Sequence, residues 1–334
     1  MFQLVDDRSQ KGGELRAAVV QTLQAAMETN KQVVALEADL GGASGFTKIA
    51  KSHPNQFVQC GIAEADMMGI AAGMSSEGFV PFCHTFGPFA TRRAFDQIYL
   101  SGAYAGNTVN IYGSDPGFTV AANGGTHTTY EDVALMRTIP GVVVCDAADA
   151  VQMAWIVNEF LGLGTGVHYV RGNRKNVRPV YAEGSTFELG RGNVVRPGTD
   201  VLVIAAGQLV SDALDAAEEL AEKGVSVEVV DMFCIKPLDT ELVCKEAVGK
   251  KAVVTFENHN VIGGLGEAVA ATLCEAGVCV SFRRHGVSER FGQVGPADFL
   301  QQEYRLTAKD LVATIEGLFA DHGHGHEEPV SDGR

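Results

Sequence analysis

With 334 residues, 46% of them hydrophobic and 20% charged, the chain has the make-up of a globular protein long enough for two domains. Its formal net charge of -15 speaks against nucleic acid or an anionic membrane surface as a partner. No charged-then-apolar leader opens the chain, no apolar run approaches the ~18 residues of a membrane span, and the seven cysteines are scattered without a CxxC pair, so a soluble, cytoplasmic protein is expected.

In chain order, ELRAAVVQTLQAAM sets Leu15, Ala18, Val19, Leu23, Ala26 and Met27 on one helical stripe, and QVVALEAD reads as a buried strand. QCGIAEADMMGIAAG, residues 59 to 73, predicts a helix from about Glu64 that is hydrophobic on most sides. An ionised carboxylate at Glu64 therefore needs a partner or a task. Next come a strand in GFVPFCHTF and a helix through FATRRAFDQIYL. TVNIYG, GVVVCDA and GVHYVRG follow as strands, alternating with helices in YEDVALMR and ADAVQMAWIVNEF. This alternation predicts βαβ units and an α/β fold, its mainly parallel sheet covered on both faces, over residues 1–180. Between Asn173 and Asp200 the pattern lapses in a stretch rich in Gly, Pro, Arg and Asn, a linker within which residues 181–199 lead into a hairpin turning at Pro197-Gly198.

A second, smaller α/β domain is expected over 200–320, with strands in DVLVIAAG, VSVEVVDM, KAVVTFE and VCVSFRRHG. Its helices are SDALDAAEELAEKG and others near 239–248, 265–276 and 307–319. The tail 321–334, DHGHGHEEPVSDGR, reads as disordered; His322, His324 and His326 could take up a metal ion, but a solvated tail is the preferred reading.

HExxH, a Walker loop and Cys/His clusters at ligand spacing are all missing, so no metal site is assigned to the chain itself. GGLGEAVA, residues 263–270, opens a helix and could seat a phosphate, yet it lacks a full GxGxxG, and close backbone packing is the preferred reading. The chemical signal is concentrated between residues 59 and 130. It consists of Glu64, of Phe86 and Phe89 after a strand, and of the loop NGGTH ending in His127. Singly, these read as a capping carboxylate, core packing and a loop histidine. Jointly they suit a flat heteroaromatic ring, stacked on phenylalanine and bonded through a ring nitrogen to a desolvated acid, at the carboxyl end of a parallel sheet.

GIAEADMMGIAAGMSSEG, HTFGPFATRRAFDQI, NGGTH and RTIPGVVVCDAADA together resemble the pyrimidine-binding domain of the transketolase family of thiamine-diphosphate enzymes. DMFCIKPLD and ENHNVIGGLGEAVAATL resemble that family's C-terminal domain, and the likeness runs in order over about residues 10–320. The resemblance implies that Glu64 bonds N1′ of the cofactor's pyrimidine, that Phe86 and Phe89 line its pocket, and that Asp39 lies near the cofactor. It further implies that His127 faces the reacting centre, that Arg16 and Arg171 hold the substrate phosphate, and that His84 belongs with the substrate-binding residues. Asn123 stands where the family usually has an acid, and Asp115 where a gap-free match has a phosphate-binding histidine. Asp115 would repel a phosphate, so a specialised ketose or a differently placed anion is expected.

The family's GDG motif, followed downstream by Asn, holds the diphosphate through Mg²⁺ or Ca²⁺; no GDG occurs in this chain. The resemblance thus implies the C-terminal, β-like subunit of a split transketolase. An N-terminal subunit would bring GDG and the metal, in an α₂β₂ assembly. The alternatives are deoxyxylulose-phosphate-synthase-like condensation, a 2-oxo acid dehydrogenase β subunit, or a regulatory or assembly subunit without catalysis.

Overall fold

The computed structural model describes residues 1–323. The first six strands are β1 (Val33–Glu37), β2 (Phe57–Gln59), β3 (Val80–Phe86), β4 (Val109–Ser114), β5 (Val143–Asp146) and β6 (Val167–Gly172). They are parallel and lie in the order β5-β6-β4-β3-β1-β2. In β1 every residue is buried, as a strand covered on both faces requires. Its side chains alternate between two cores. Val33 and Ala35 pack with the Leu15–Thr29 and Ala150–Gly162 helices, whereas Val34 and Leu36 pack with Met67, Met68 and Ala71 of the Glu64–Ser76 helix.

The chain continues through β7 (Asn193–Arg196), β8 (Val201–Ala205), β9 (Val227–Asp231), β10 (Cys234–Lys236), β11 (Ala252–Asn260) and β12 (Ser281–Val287). Five of these form a second sheet, ordered β12-β11-β8-β9-β7. The helices Leu209–Glu222 and Ala308–Gly323 bury Leu209, Ala213, Leu311 and Ile315 in one core on this sheet. No helix among the described residues is long and apolar enough to cross a membrane.

Three local expectations are corrected. The turn at Pro197-Gly198 does not make a hairpin, because β7 pairs antiparallel with β9 and not with its neighbour β8. Gly198 permits this course, since a Cβ there would lie 2.2 Å from the Glu228 nitrogen. The expected helix through FATRRAFDQIYL is broken. A turn of helix at Gly87–Ala90 ends at Thr91 (φ -116°, ψ -85°), and winding resumes at Phe95–Gln97 before a π-wound Ile98–Tyr104. Arg92 and Arg93 sit in the break. Finally, the last helix runs on to Gly323; the rest of the histidine-rich tail lies outside the described residues.

β10 comes from the second half of the chain yet pairs antiparallel with β5, completing the first sheet as its seventh strand. Close by, the fully buried Asp231 accepts hydrogen bonds from the Tyr181 hydroxyl (2.5 Å) and Gln152 Nε2 (2.7 Å). Burial pushes this carboxyl up to about 7. Because the folded state binds its proton more tightly than the unfolded chain, the stabilisation is complete at acid pH and is lost as pH rises through about 7. Unfolding in urea between pH 4 and 8 is expected to show stability falling with pH. Asp231→Asn should flatten the profile by up to one proton's share, about 1.4 kcal/mol per pH unit.

Candidate active site

The carboxyl ends of the parallel strands bring the chemically interesting residues to one edge of the first sheet. β1 ends at Glu37, two residues before Asp39; β3 ends at Phe86; β4 ends at Ser114, next to Asp115; β6 ends at Gly172, two residues before Arg174. Glu64 is the first residue of its helix. The segment joining β2 to that helix is short, which carries the carboxylate back to the same edge.

At the centre, Phe86, Phe89 and His127 form a three-ring cluster. Phe89 lies 5.0 Å and Phe86 5.5 Å from the imidazole, edge to face, and the two phenylalanines are 6.2 Å apart. The Thr126 hydroxyl meets His127 Nδ1 at 2.9 Å. Burial, with Arg93 second, holds His127 below the usual imidazole range. Glu64 is 3% exposed and accepts a hydrogen bond from Arg93 Nη1 at 2.8 Å. The guanidinium of Arg93 lies 3.8 Å from the centre of the Phe89 ring. On the other flank, Arg174 lies 4.9 Å over Phe86 and pairs through Nε with Asp115 Oδ2 at 2.5 Å. An unbroken run of contacts thus joins Glu64, Arg93, Phe89, His127, Phe86, Arg174 and Asp115.

The loop carrying His127 is pinned from the second half of the chain. Asn258 on β11 accepts from the Phe118 N–H and donates to the Pro116 carbonyl, and Gly117, at φ 58°, is packed so closely that a Cβ would fall 2.0 Å from Asn258 Oδ1. Gly125 lies against the Gly292 carbonyl, and Gly124 against Val294. Side chains at these glycines would push the loop off its support. This is a reason for two glycines before Thr126-His127.

Not every residue expected here belongs to the cluster. Arg171 is 1% exposed, paired with Asp132 (2.8 Å) and Asp146 (3.0 Å) and donating to the Asn258 carbonyl (3.0 Å). With its donors facing buried carboxylates, it presents no surface to a phosphate; it is a structural cation. His84 is wholly buried between Phe46 and Tyr112, with Nε2 3.1 Å from the Ser114 hydroxyl. Burial, aided by Arg174, lowers it to about 3, so it stays neutral, and it has no exposed face in this chain. Asp115 is 1% exposed; burial raises its carboxyl to about 6, against the pull of Arg174. The repulsion expected from it is therefore offset by Arg174. Arg16 pairs with Glu14 and feels the charge of Asp115. Asp39 and Asn123 are exposed, Asp39 in a left-handed conformation at φ 59°.

Arg93 and Arg174 are the functional candidates that sequence reasoning missed. Their only signal was two basic runs, RR in the expected helix and NRKNVR after β6. In the glycine-rich turn at 263–266, the N–H groups of Leu265 and Gly266 are taken by Glu257 (2.7 and 2.8 Å), so the chain's own carboxylate fills that helix start. Among the described residues, no group of three or more His, Cys, Asp or Glu is placed to hold a metal ion.

Comparison with known proteins fits this geometry. Residues 12–180 match the transketolase pyrimidine-binding domain, and residues 190–311 the transketolase C-terminal domain. The 6-deoxy-6-sulfo-D-fructose transketolase subunit SqwH of Clostridium sp. (strain MSTE9) is 43% identical over 298 residues, 89% of this chain and 92% of that protein. An apulose-4-phosphate transketolase subunit of Phocaeicola vulgatus is 38% identical over 262 residues, covering 78% of this chain and 83% of its own length. Among solved structures, one described as a split gene transketolase, inactive beta4 tetramer, superposes with a TM-score of 0.85 at 38% identity, covering 92% of this chain and 99% of that one.

Proposed function

The chain belongs to the transketolase family, and on that premise we propose that it is the pyrimidine-binding, β-like subunit of a split transketolase that moves a two-carbon ketol unit from a ketose to an aldose. The observation that carries this reading is the convergence of Glu64, Phe86, Phe89 and His127 on one strand edge, with the acid 3% exposed. Such a slot, a buried carboxylate beside aromatic faces, fits the pyrimidine half of thiamine diphosphate. When bound, that cofactor supplies the carbon nucleophile for the ketose carbonyl.

The work of this chain's own residues then follows from their chemistry. Glu64 holds or receives a proton at the ring nitrogen, in a site dry enough for the exchange to be felt. Phe86 and Phe89 hold the ring and keep water out. His127, its Nδ1 engaged by Thr126, has Nε2 left for a substrate hydroxyl and for proton transfer there. Asp39 and Asn123 border the same edge, where cofactor and donor hydroxyls are read. Arg174, held in place by Asp115, and Arg16 beside it supply the positive charge for an anionic substrate terminus. Phosphate and sulfonate share that chemistry, and the relatives named above act on one or the other by their descriptions.

The diphosphate arm and its Mg²⁺ or Ca²⁺ would be held by an N-terminal partner subunit carrying GDG and a downstream Asn, in an α₂β₂ enzyme of the cytoplasm. The decisive experiment is co-purification of the tagged chain from its own cell, followed by assay of the assembled complex. A stoichiometric GDG-bearing chain and ketose-dependent ketol transfer are the expected results. A chain that comes down alone, or binds thiamine diphosphate tightly by itself, would overturn the half-enzyme reading; consumption of pyruvate in place of a ketose would point to the synthase or dehydrogenase alternative. In the active complex, Arg174→Met is expected to raise KM for an anionic ketose about tenfold or more, the scale of a lost charge-assisted hydrogen bond. Turnover should be little changed, and steady-state kinetics on a charged and a neutral ketose would separate the two effects.

A further inference from the structure

We infer that Arg93 occupies the pyrimidine's place in the subunit when no cofactor is bound, and that cofactor binding must displace it. The inference builds on the proposed function, which supplies the occupant, and adds a residue that sets how tightly that occupant is held.

Two contacts define the slot, a buried acid at the edge of the ligand and an aromatic face beneath it. Arg93 makes both. Its Nη1 donates to Glu64 Oε1 at 2.8 Å while the guanidinium plane lies 3.8 Å from the Phe89 centre. A guanidinium and an aminopyrimidine are alike in what matters here: planar, cut with N–H groups at the rim, and polarised over the ring face. One carboxylate edge and one phenylalanine face do not serve two such planes at once. One of the two Glu64 oxygens, Oε1, is already accepting from Arg93.

The arrangement has a physical reason. Glu64 is 3% exposed, and a buried carboxylate without a partner is costly, so a chain awaiting its cofactor needs a temporary counter-ion. Arg93 suits that task because it is only lightly held. Its side chain is 45% exposed and its backbone lies in the break between helical turns, where a swing to solvent disturbs no core packing. Asp96, three residues on, is exposed and makes no ion pair among the described residues, which offers the displaced cation a landing place. Arg92, its neighbour, points elsewhere, pairing with Glu131 at 2.6 Å.

The test uses the assembled two-subunit enzyme and the full-length chain. Calorimetric titration of the complex with thiamine diphosphate and Mg²⁺ should give a Kd about threefold to tenfold lower for Arg93→Met than for wild type, the scale of an ion pair half open to water plus its stacking on an aromatic face. Arg93→Lys, charged but not planar, should fall between them. A second readout is independent of the cofactor: the imidazole proton resonances of His127 in the chain alone should titrate at higher pH in Arg93→Met, because a nearby cation has been removed. Unchanged or weaker cofactor binding in Arg93→Met, or a His127 titration that does not move, would overturn the inference while leaving the split-transketolase reading intact. Failure of the complex to bind the cofactor at all, in wild type and variants alike, would overturn both.

Discussion

Glu64→Gln is expected to lower the turnover of the assembled enzyme about 10²-fold or more, the scale of a positioned proton-transfer group. The substitution keeps the shape of the side chain and a carbonyl oxygen able to accept from Arg93, so the fold has no reason to change. What it removes is the ability to take up and return a proton at a ring nitrogen. Steady-state ketol transfer by the complex, with thermal unfolding of the isolated chain as the control, checks the claim. A loss of rate with an unchanged unfolding temperature supports catalysis. Full activity would mean that Glu64 serves only as the ion-pair partner of Arg93, and that the chain serves assembly or regulation.

Arg171→Met should act on a different quantity. The guanidinium is enclosed by Asp132, Asp146 and the Asn258 carbonyl, and the Tyr169 hydroxyl also donates to Asp132 at 2.7 Å. Removing the cation leaves two buried carboxylates facing each other, a change that costs about 3–5 kcal/mol. Against a total stability of about 5–15 kcal/mol, that is enough to leave part of the chain unfolded. Burial already raises the Asp146 carboxyl to about 6, with Arg171 opposing the rise. In the variant that opposition is gone, so protonation should relieve part of the defect at low pH. Urea unfolding should therefore show a smaller deficit at pH 5 than at pH 8. A phosphate-binding arginine would behave otherwise, with stability kept and KM raised.

These two residues mark what was legible in the sequence and what was not. Strands such as β1 and β8 are continuous apolar runs bounded by turn residues, and both are buried at every position, so pattern alone located them. Glu64 was legible because an acid in an apolar setting is anomalous by itself. Arg171 was not, because its partners Asp132 and Asp146 are distant in the chain and meet it only through folding. His84 lies in the run CHTF on a strand buried on both faces, where period-2 reasoning assigns no exposed side. Arg93 and Arg174 were hidden for the opposite reason: basic runs in an expected helix and an expected linker read as solvated surface. Strands β2 and β10, three residues each, are too short to carry a period, and the pairing of β7 with β9 is a matter of topology that local turn chemistry does not encode.

β10 has a further bearing on how the chain behaves as a whole. Only three residues long, it crosses from one sheet's territory to seal the margin of the other, with Cys234 set opposite Cys145. The two halves are therefore not beads on a string. Cutting the chain near residue 190, where the sequence invites a domain boundary, would strip the first half of its outermost strand and leave the backbone groups on the outer side of β5 without partners, an open template for self-association. The same closure means that the half carrying Glu64 and His127 holds its shape by leaning on the other. That dependence gives a physical reason for the two to be inherited as one polypeptide.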